Sequence, residues 1–167
     1  MVLMKTAQIL GEMQQALRDA EGLFHGGDYA GSAECYTKAL ELCDSLPNDT
    51  TFDRSRFEAS CQAGLSAVFG RLDRPFESFA AANKALLFYE ANGERYPADI
   101  GRWLMAIVNQ GTSLAAFHCF GDAQAAFTRA KELFISKGLD TPQNCAWIAM
   151  VEGNLATLAA HLAKETE

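Results

Sequence analysis

The sequence lacks a basic run, a long apolar run and any patterning among its cysteines, and each lack closes off a class of function. Only 14 lysines and arginines stand against 21 acids, for a formal net charge of -7. Without clustered cations to neutralise a phosphate backbone, nucleic acid is not an expected partner. No stretch approaches the roughly 18 consecutive apolar residues that mark a membrane-spanning helix. Lys5 and Glu12 interrupt the first apolar positions, so neither a membrane span nor a leader segment is expected. The five cysteines (Cys35, Cys43, Cys61, Cys119, Cys145) are odd in number and contain no CxxC pair. They read as small buried side chains in a reducing compartment, which points to a cytoplasmic location. No segment alternates with the period of two that marks a half-buried strand, which leaves an all-α fold.

Groups that could carry chemistry are equally sparse. His118-Cys119 is the one adjacent imidazole and thiol, but neighbours on a helix diverge by about 100° around the axis and do not meet. His25 and His161 stand alone, without a second ligand at metal-binding spacing. Gly26-Gly27 follows a helical stretch and lacks the Lys-Ser/Thr of a phosphate loop, so it reads as a turn. The acid pairs Asp19 with Glu21 and Glu90 with Glu94 read as solvated helix faces. Trp103 and Trp147 read as core residues, with anchoring of a bound peptide as the alternative, and Phe117, Phe120 and Phe127 read as inter-helix packing. No catalytic residue, metal site or cofactor is expected.

What the chain does have is a composition and a repeat. Its 167 residues are 49% hydrophobic and 21% charged, which suits one packed domain over residues 1–167. The acidic end is the N-terminal third, with eight acids and three bases within residues 1–50. The segments beginning Tyr36-Thr37-Lys38-Ala39-Leu40, Ala82-Asn83-Lys84-Ala85-Leu86 and Phe127-Thr128-Arg129-Ala130-Lys131 align without gaps at intervals of 46 and 45 residues, with Ser32, Ser78 and Ala123 in register upstream. Small residues at these spacings on one helix face let a second helix approach closely.

Breakers frame the repeats. Gly26-Gly27-Asp28, Asp73-Arg74-Pro75 and Gly121-Asp122 supply tight turns and N-caps, and longer connections fall at 46–50, 92–97 and 138–142. The pattern predicts seven helices, near 4–25, 28–45, 51–71, 74–92, 98–118, 122–137 and 142–164. They form hairpins at 4–45, 51–92 and 98–137. The last helix carries Asp140 or Thr141 as N-cap and Gln143 placed for a capping box.

These residues resemble the tetratricopeptide-repeat (TPR) family, whose second-half signature is matched here by Gly27, Tyr29, Ser32, Tyr36, Ala39 and Leu40. The second repeat keeps Leu65, Ser66, Ser78, Ala85 and Leu86, and the third Gly111, Ala123, Phe127 and Ala130. The period of 45 or 46 exceeds the usual 34, so the chain resembles long-helix variants and small stand-alone bacterial TPR-like proteins. The resemblance implies a right-handed superhelix of three hairpins and a C-terminal capping helix. The first helix of each hairpin would line a peptide-binding groove.

Carried across by position, that groove is formed by Gln14, Leu17, Glu21, Phe24 and His25, by Ser60, Ala63, Ala67 and Arg71, and by Met105, Val108, Asn109 and Thr112. Of the positions at which chaperone-adaptor TPRs hold a carboxylate (Leu17, Glu21, Gly64, Met105 and Asn109), only Asn109 fits, so acidic C-terminal tails are not expected ligands. The implied function is non-catalytic protein or peptide binding. Two alternatives stay open: a secretion-type chaperone for an apolar partner, and a small-molecule sensor or enzyme with a pocket around His25, Glu21 and Arg71. Self-association is also left open, through Leu155, Leu158 and Leu162 of the last helix.

Overall fold

A computed structural model of the chain describes residues 2–166, with side chains from Lys5 onward. Among the described residues there are seven α-helices: α1 (Val2–His25), α2 (Tyr29–Asp44), α3 (Arg54–Arg71), α4 (Pro75–Asn92), α5 (Ile100–Ala116), α6 (Phe120–Ser136) and α7 (Cys145–Glu165). Short 3-10 turns at Gly93–Arg95, Pro97–Asp99 and Pro142–Asn144 bridge the last connections. The helices pair as α1/α2, α3/α4 and α5/α6, and each hairpin packs on the next in chain order, with α7 against α6. No described helix is long and apolar enough to cross a membrane.

The three hairpin turns share one backbone device. Gly27, Asp73 and His118 are spaced like the repeats and adopt left-handed φ values of 86°, 55° and 60°. The next N–H in each case (Asp28, Arg74, Cys119) donates at 2.9 Å to the carbonyl of Leu23, Phe69 or Leu114. This six-residue closure satisfies an orphan carbonyl at the helix end and reverses the chain. The third turn therefore lies ahead of the expected Gly121-Asp122: Cys119 stands at the N-cap, and both residues fall in the first turn of α6.

Only the first turn uses the residue type best suited to that φ. His118→Gly is expected to stabilise the protein by about 1 kcal/mol, because a non-glycine residue pays for a left-handed conformation. A rise in the denaturant midpoint checks this, whereas a fall means that the contact of the His118 ring with Phe120, 5.4 Å between centroids, matters more.

Caps follow the sequence less uniformly. Asp28 and Asp53 accept from the backbone N–H of Gly31 and Arg56 at the starts of α2 and α3. Thr141 makes no side-chain cap bond and Gln143 forms no capping box; instead a 3-10 turn intervenes and α7 begins at Cys145. There Asn144 holds the turn by donating to the Leu139 carbonyl.

The repeated small residues are where the hairpins close. Ala39, Ala85 and Ala130 are fully buried. The hydroxyls of Ser32 and Ser78 each donate at 2.7 Å to a carbonyl of the preceding helix, Ala20 and Ser66. The third repeat has Ala123 in their place, and it is fully buried. The core runs in three clusters, the last built from Ala123, Phe127, Val151 and Leu158. Leu155 packs on that cluster too, so α7 covers the third hairpin with its apolar side.

Two expectations about side chains need correction. Cys43 and Cys61 are buried, and burial pushes their thiols up to about 11 and about 12. Cys119 and Cys145, however, are exposed. Glu90 and Glu94 do not simply face water: they pair with Arg129 of α6 and with Lys137 at its C-cap and so tie the second hairpin to the third. Trp103 is buried as expected, stacked 6.5 Å from Tyr89.

Candidate functional site

The first helices of the hairpins, with α7 continuing their series, line one extended depression made of two confluent cavities. The first, of 760 Å³, is an apolar trough between α3, α5 and α7. Its wall includes Phe24, Ala67, Ile100, Leu104, Met105, Val108, Phe134, Trp147 and Met150, with Asn109, Thr112 and Asn144 as polar points and Arg71 as the one charged residue. The second cavity, of 480 Å³, here the polar pocket, also has a mainly apolar surface but is lined by more ionisable and hydroxyl residues, Glu21, His25, Tyr36, Ser60 and Arg102, and lies against α1, α2, α3 and α5. Phe24, Ala67, Gly101 and Met105 line both.

The structure brings most of the expected groove residues together. Glu21, His25 and Ser60 line the polar pocket, Arg71, Val108, Asn109 and Thr112 the trough, and Phe24, Ala67 and Met105 both. Three lie elsewhere. Ala63 is fully buried in the core between the second and third hairpins. Leu17 packs against the first core cluster, and Gln14 is exposed and lines neither cavity. Helical phase does not separate them, since Ala63 stands three residues from Ser60 and Leu17 four from Glu21; core side chains cover Ala63 and pack against Leu17.

The cluster of His25, Glu21 and Arg71 is not assembled around one point. The Glu21 carboxylate accepts from Arg102 at 2.7 Å, across 81 residues of sequence, while the Arg71 guanidinium lies over the Tyr29 ring at 6.0 Å. Arg102 also approaches Asp99 at 3.5 Å, and Arg56 holds Asp99 through bonds of 2.9 and 3.1 Å. Burial works against the Arg102 charge, but the Glu21 bond and neighbouring anions offset it and leave the guanidinium above its ordinary pKa. These charges form a chain of ion pairs joining all three hairpins beneath the polar pocket.

Several residues outside the expected groove set line the depression as well, among them Tyr36, Arg102, Trp147 and Met150. Tyr36 sits on α2, a second helix, yet reaches the pocket because Gly64 has no side chain: a Cβ there would lie 2.2 Å from the tyrosine Cζ. Arg102 is identified only by the distant Glu21. Trp147 and Met150 belong to α7, read from sequence as a cap; Trp147 stacks on Phe134 at 4.4 Å and Met150 is 40% exposed at the trough.

A third cavity, of 820 Å³, lies between α2 and α4 over α3. It mixes Asp44, Asp53 and Glu58 with Lys84 and Arg95, beside the exposed Leu87. Among the described residues, no group of three or more His, Cys, Asp and Glu side chains is placed to hold a metal ion.

Comparison with known proteins agrees with this architecture. A TPR-like protein from Chlorobium tepidum superposes with a TM-score of 0.86 at 24% identity, over 93% of this chain and 99% of that one. The C-terminal TPR-containing domain of a protein from Plasmodium falciparum described as FK506-binding gives a TM-score of 0.72 at 12% identity, over 96% and 95% of the two chains. A search of curated proteins finds no match. A family model described as a Domain of Unknown Function (DUF3856) matches residues 5–145. With hairpins stacked as in TPR-like structures and with that match over most of its length, the chain belongs to the DUF3856 family and has the TPR-like fold.

Proposed function

We propose that the chain is a single-domain, non-catalytic interaction module that holds a peptide or a partner's helix in the depression lined by α1, α3, α5 and α7. The observation that carries this reading is the trough itself. Apolar side chains from five helices, the 40% exposed Met150 among them, line it, and its only charge, Arg71, lets an apolar stripe dock without stranding an ion. Catalysis has little support, because the charged groups at the pocket are engaged in pairs with one another. The scattered cysteines suit a reducing, cytoplasmic setting. A chaperone for an apolar client would use the same trough, and the partner's identity alone separates the two roles.

The test is selection of peptides from a displayed random library of 20-residue sequences on the purified protein, followed by affinity measurement on wild type and Met105→Glu. Met105 is half-buried and lines both cavities, so a carboxylate there meets an apolar ligand directly. The expected result is enrichment of apolar residues at i, i+3 or i+4, and i+7, with binding weakened roughly tenfold or more by Met105→Glu at unchanged helical content. Equal binding by both proteins would move the site elsewhere, with the cavity between α2 and α4 the next to test.

A further inference from the structure

The polar pocket beside the trough contains a donor that the protein does not use. Tyr36 is only 5% exposed, lines the pocket, and its hydroxyl makes no hydrogen bond to any described residue. Burial, and next the Glu21 charge, hold its pKa well above the ordinary tyrosine value, so the hydroxyl keeps its proton and remains a donor. The nearby Ser60 is different: its hydroxyl already donates to the Arg56 carbonyl at 3.0 Å and lies 3.4 Å from the Tyr89 hydroxyl. The Tyr36 ring is buried while its unpaired hydroxyl is not, and a hydroxyl kept facing a cavity is available to a ligand.

Charge selects which ligand group suits it. Glu21 is neutralised by Arg102, and Asp99, 3% exposed, is held by Arg56. A carboxylate entering the pocket would be drawn by Arg102 and repelled by Glu21, and an ammonium the reverse, so neither gains a counter-ion to offset its lost hydration. His25 stands exposed at the rim. Of the Glu21 carboxylate, one oxygen accepts from Arg102 and the other has no partner among the described residues. The pocket therefore offers the unused Tyr36 hydroxyl and further Arg102 N–H groups as donors, one unused Glu21 oxygen as acceptor, and no net charge. A primary amide has the matching set: a carbonyl to accept and an N–H to donate, uncharged.

Resting on the reading of the trough as a peptide site, we propose that the pocket recognises an Asn or Gln side chain of the bound peptide, its carbonyl accepting from Tyr36 and its N–H donating to Glu21. The trough takes the apolar stripe, and the pocket, continuous with it through Phe24, Ala67 and Met105, takes the amide at one end. The pairing would also set the direction in which the peptide lies, since only one end of the trough opens into the pocket.

The test uses a displayed library with a fixed apolar stripe at helical spacing and randomised positions at both ends, selected in parallel on wild type and Tyr36→Phe. That substitution removes a hydroxyl with no internal bond, so thermal unfolding should be unchanged, and the melt checks that both proteins are folded. Wild type should enrich Asn or Gln at one terminal position. A synthetic peptide carrying Gln there should bind about fivefold more tightly than its Leu counterpart, with the advantage lost on Tyr36→Phe while stripe binding persists. Enrichment of acids, bases or apolar residues at that position would overturn the proposal, as would a Gln preference that Tyr36→Phe leaves intact. Absence of any Met105→Glu-sensitive binder would instead defeat the reading of the trough.

Discussion

Phe127→Ala is expected to lower the free energy of unfolding by about 3–5 kcal/mol, in the range for removing a buried aromatic side chain. The ring is 2% exposed and forms the centre of the third cluster with Ala123, Val151 and Leu158. It also packs so tightly on Gly111 that an added Cβ there would come within 3.0 Å of the ring Cε2. The neighbouring side chains are short and fixed by two helices, so they cannot collapse into the vacated space, and the cavity cost adds to the lost transfer energy. For a chain of this size the shift corresponds to roughly 10 °C in Tm, read by circular dichroism. A loss below about 1.5 kcal/mol would mean that α7 moves in to fill the gap, which would make the end of the array softer than its packing implies.

Arg56→Met is expected to cost about 3 kcal/mol, for a different reason. Asp99 is 3% exposed and precedes α5, and the Arg56 guanidinium binds both of its oxygens. Methionine retains most of the apolar stem but leaves a buried carboxylate with only Arg102, 3.5 Å away. Removing one partner of such a pair is costly because the other charge stays behind, so the loss should be largely recovered when Asp99→Asn is added to Arg56→Met. Additive losses in the double variant would show instead that Arg56 acts by packing, for example through its guanidinium 4.4 Å from the centre of the Tyr96 ring.

The pair bears on function as well as stability. Arg56, Asp99, Arg102 and Glu21 connect α3, the approach to α5, and α1, so the ion pairs fix the walls of the polar pocket relative to one another. A groove variant built on Glu21 would therefore disturb the joint between hairpins along with any ligand contact. Met105 reports on the depression with less disturbance, because it lines both cavities and takes part in none of these bonds.

The helices and their pairing were legible because their signals are local. Gly27, Pro75 and the Asp28 cap act within a few residues of themselves, and the buried alanines at 39, 85 and 130 repeat at the spacing of the hairpins. The third turn was misplaced by the same logic: His118 takes the left-handed position there, and nothing in a histidine signals it beforehand. Much of the lining of the depression was also legible, since residues on the inner face of α5 keep the helical spacing seen at Met105, Val108, Asn109 and Thr112. Ala63 shares a face with Ser60 and Ala67 but is covered by the next hairpin, and a small residue fits a core and a cavity wall equally well.

By itself, then, the sequence determined an all-α chain of repeated hairpins, two of their three turns, and much of the lining of the inner depression, because helix propensity, capping and periodic burial are encoded over short spans. Tertiary structure alone decided the chemistry of the depression. Glu21 meets Arg102 across 81 positions, Tyr36 reaches the pocket through the gap left by Gly64, and Trp147 lines the trough from a helix that also closes the core. Each of these depends on how far one hairpin is rotated on the next, an angle set by the summed packing of many side chains and written in no single motif.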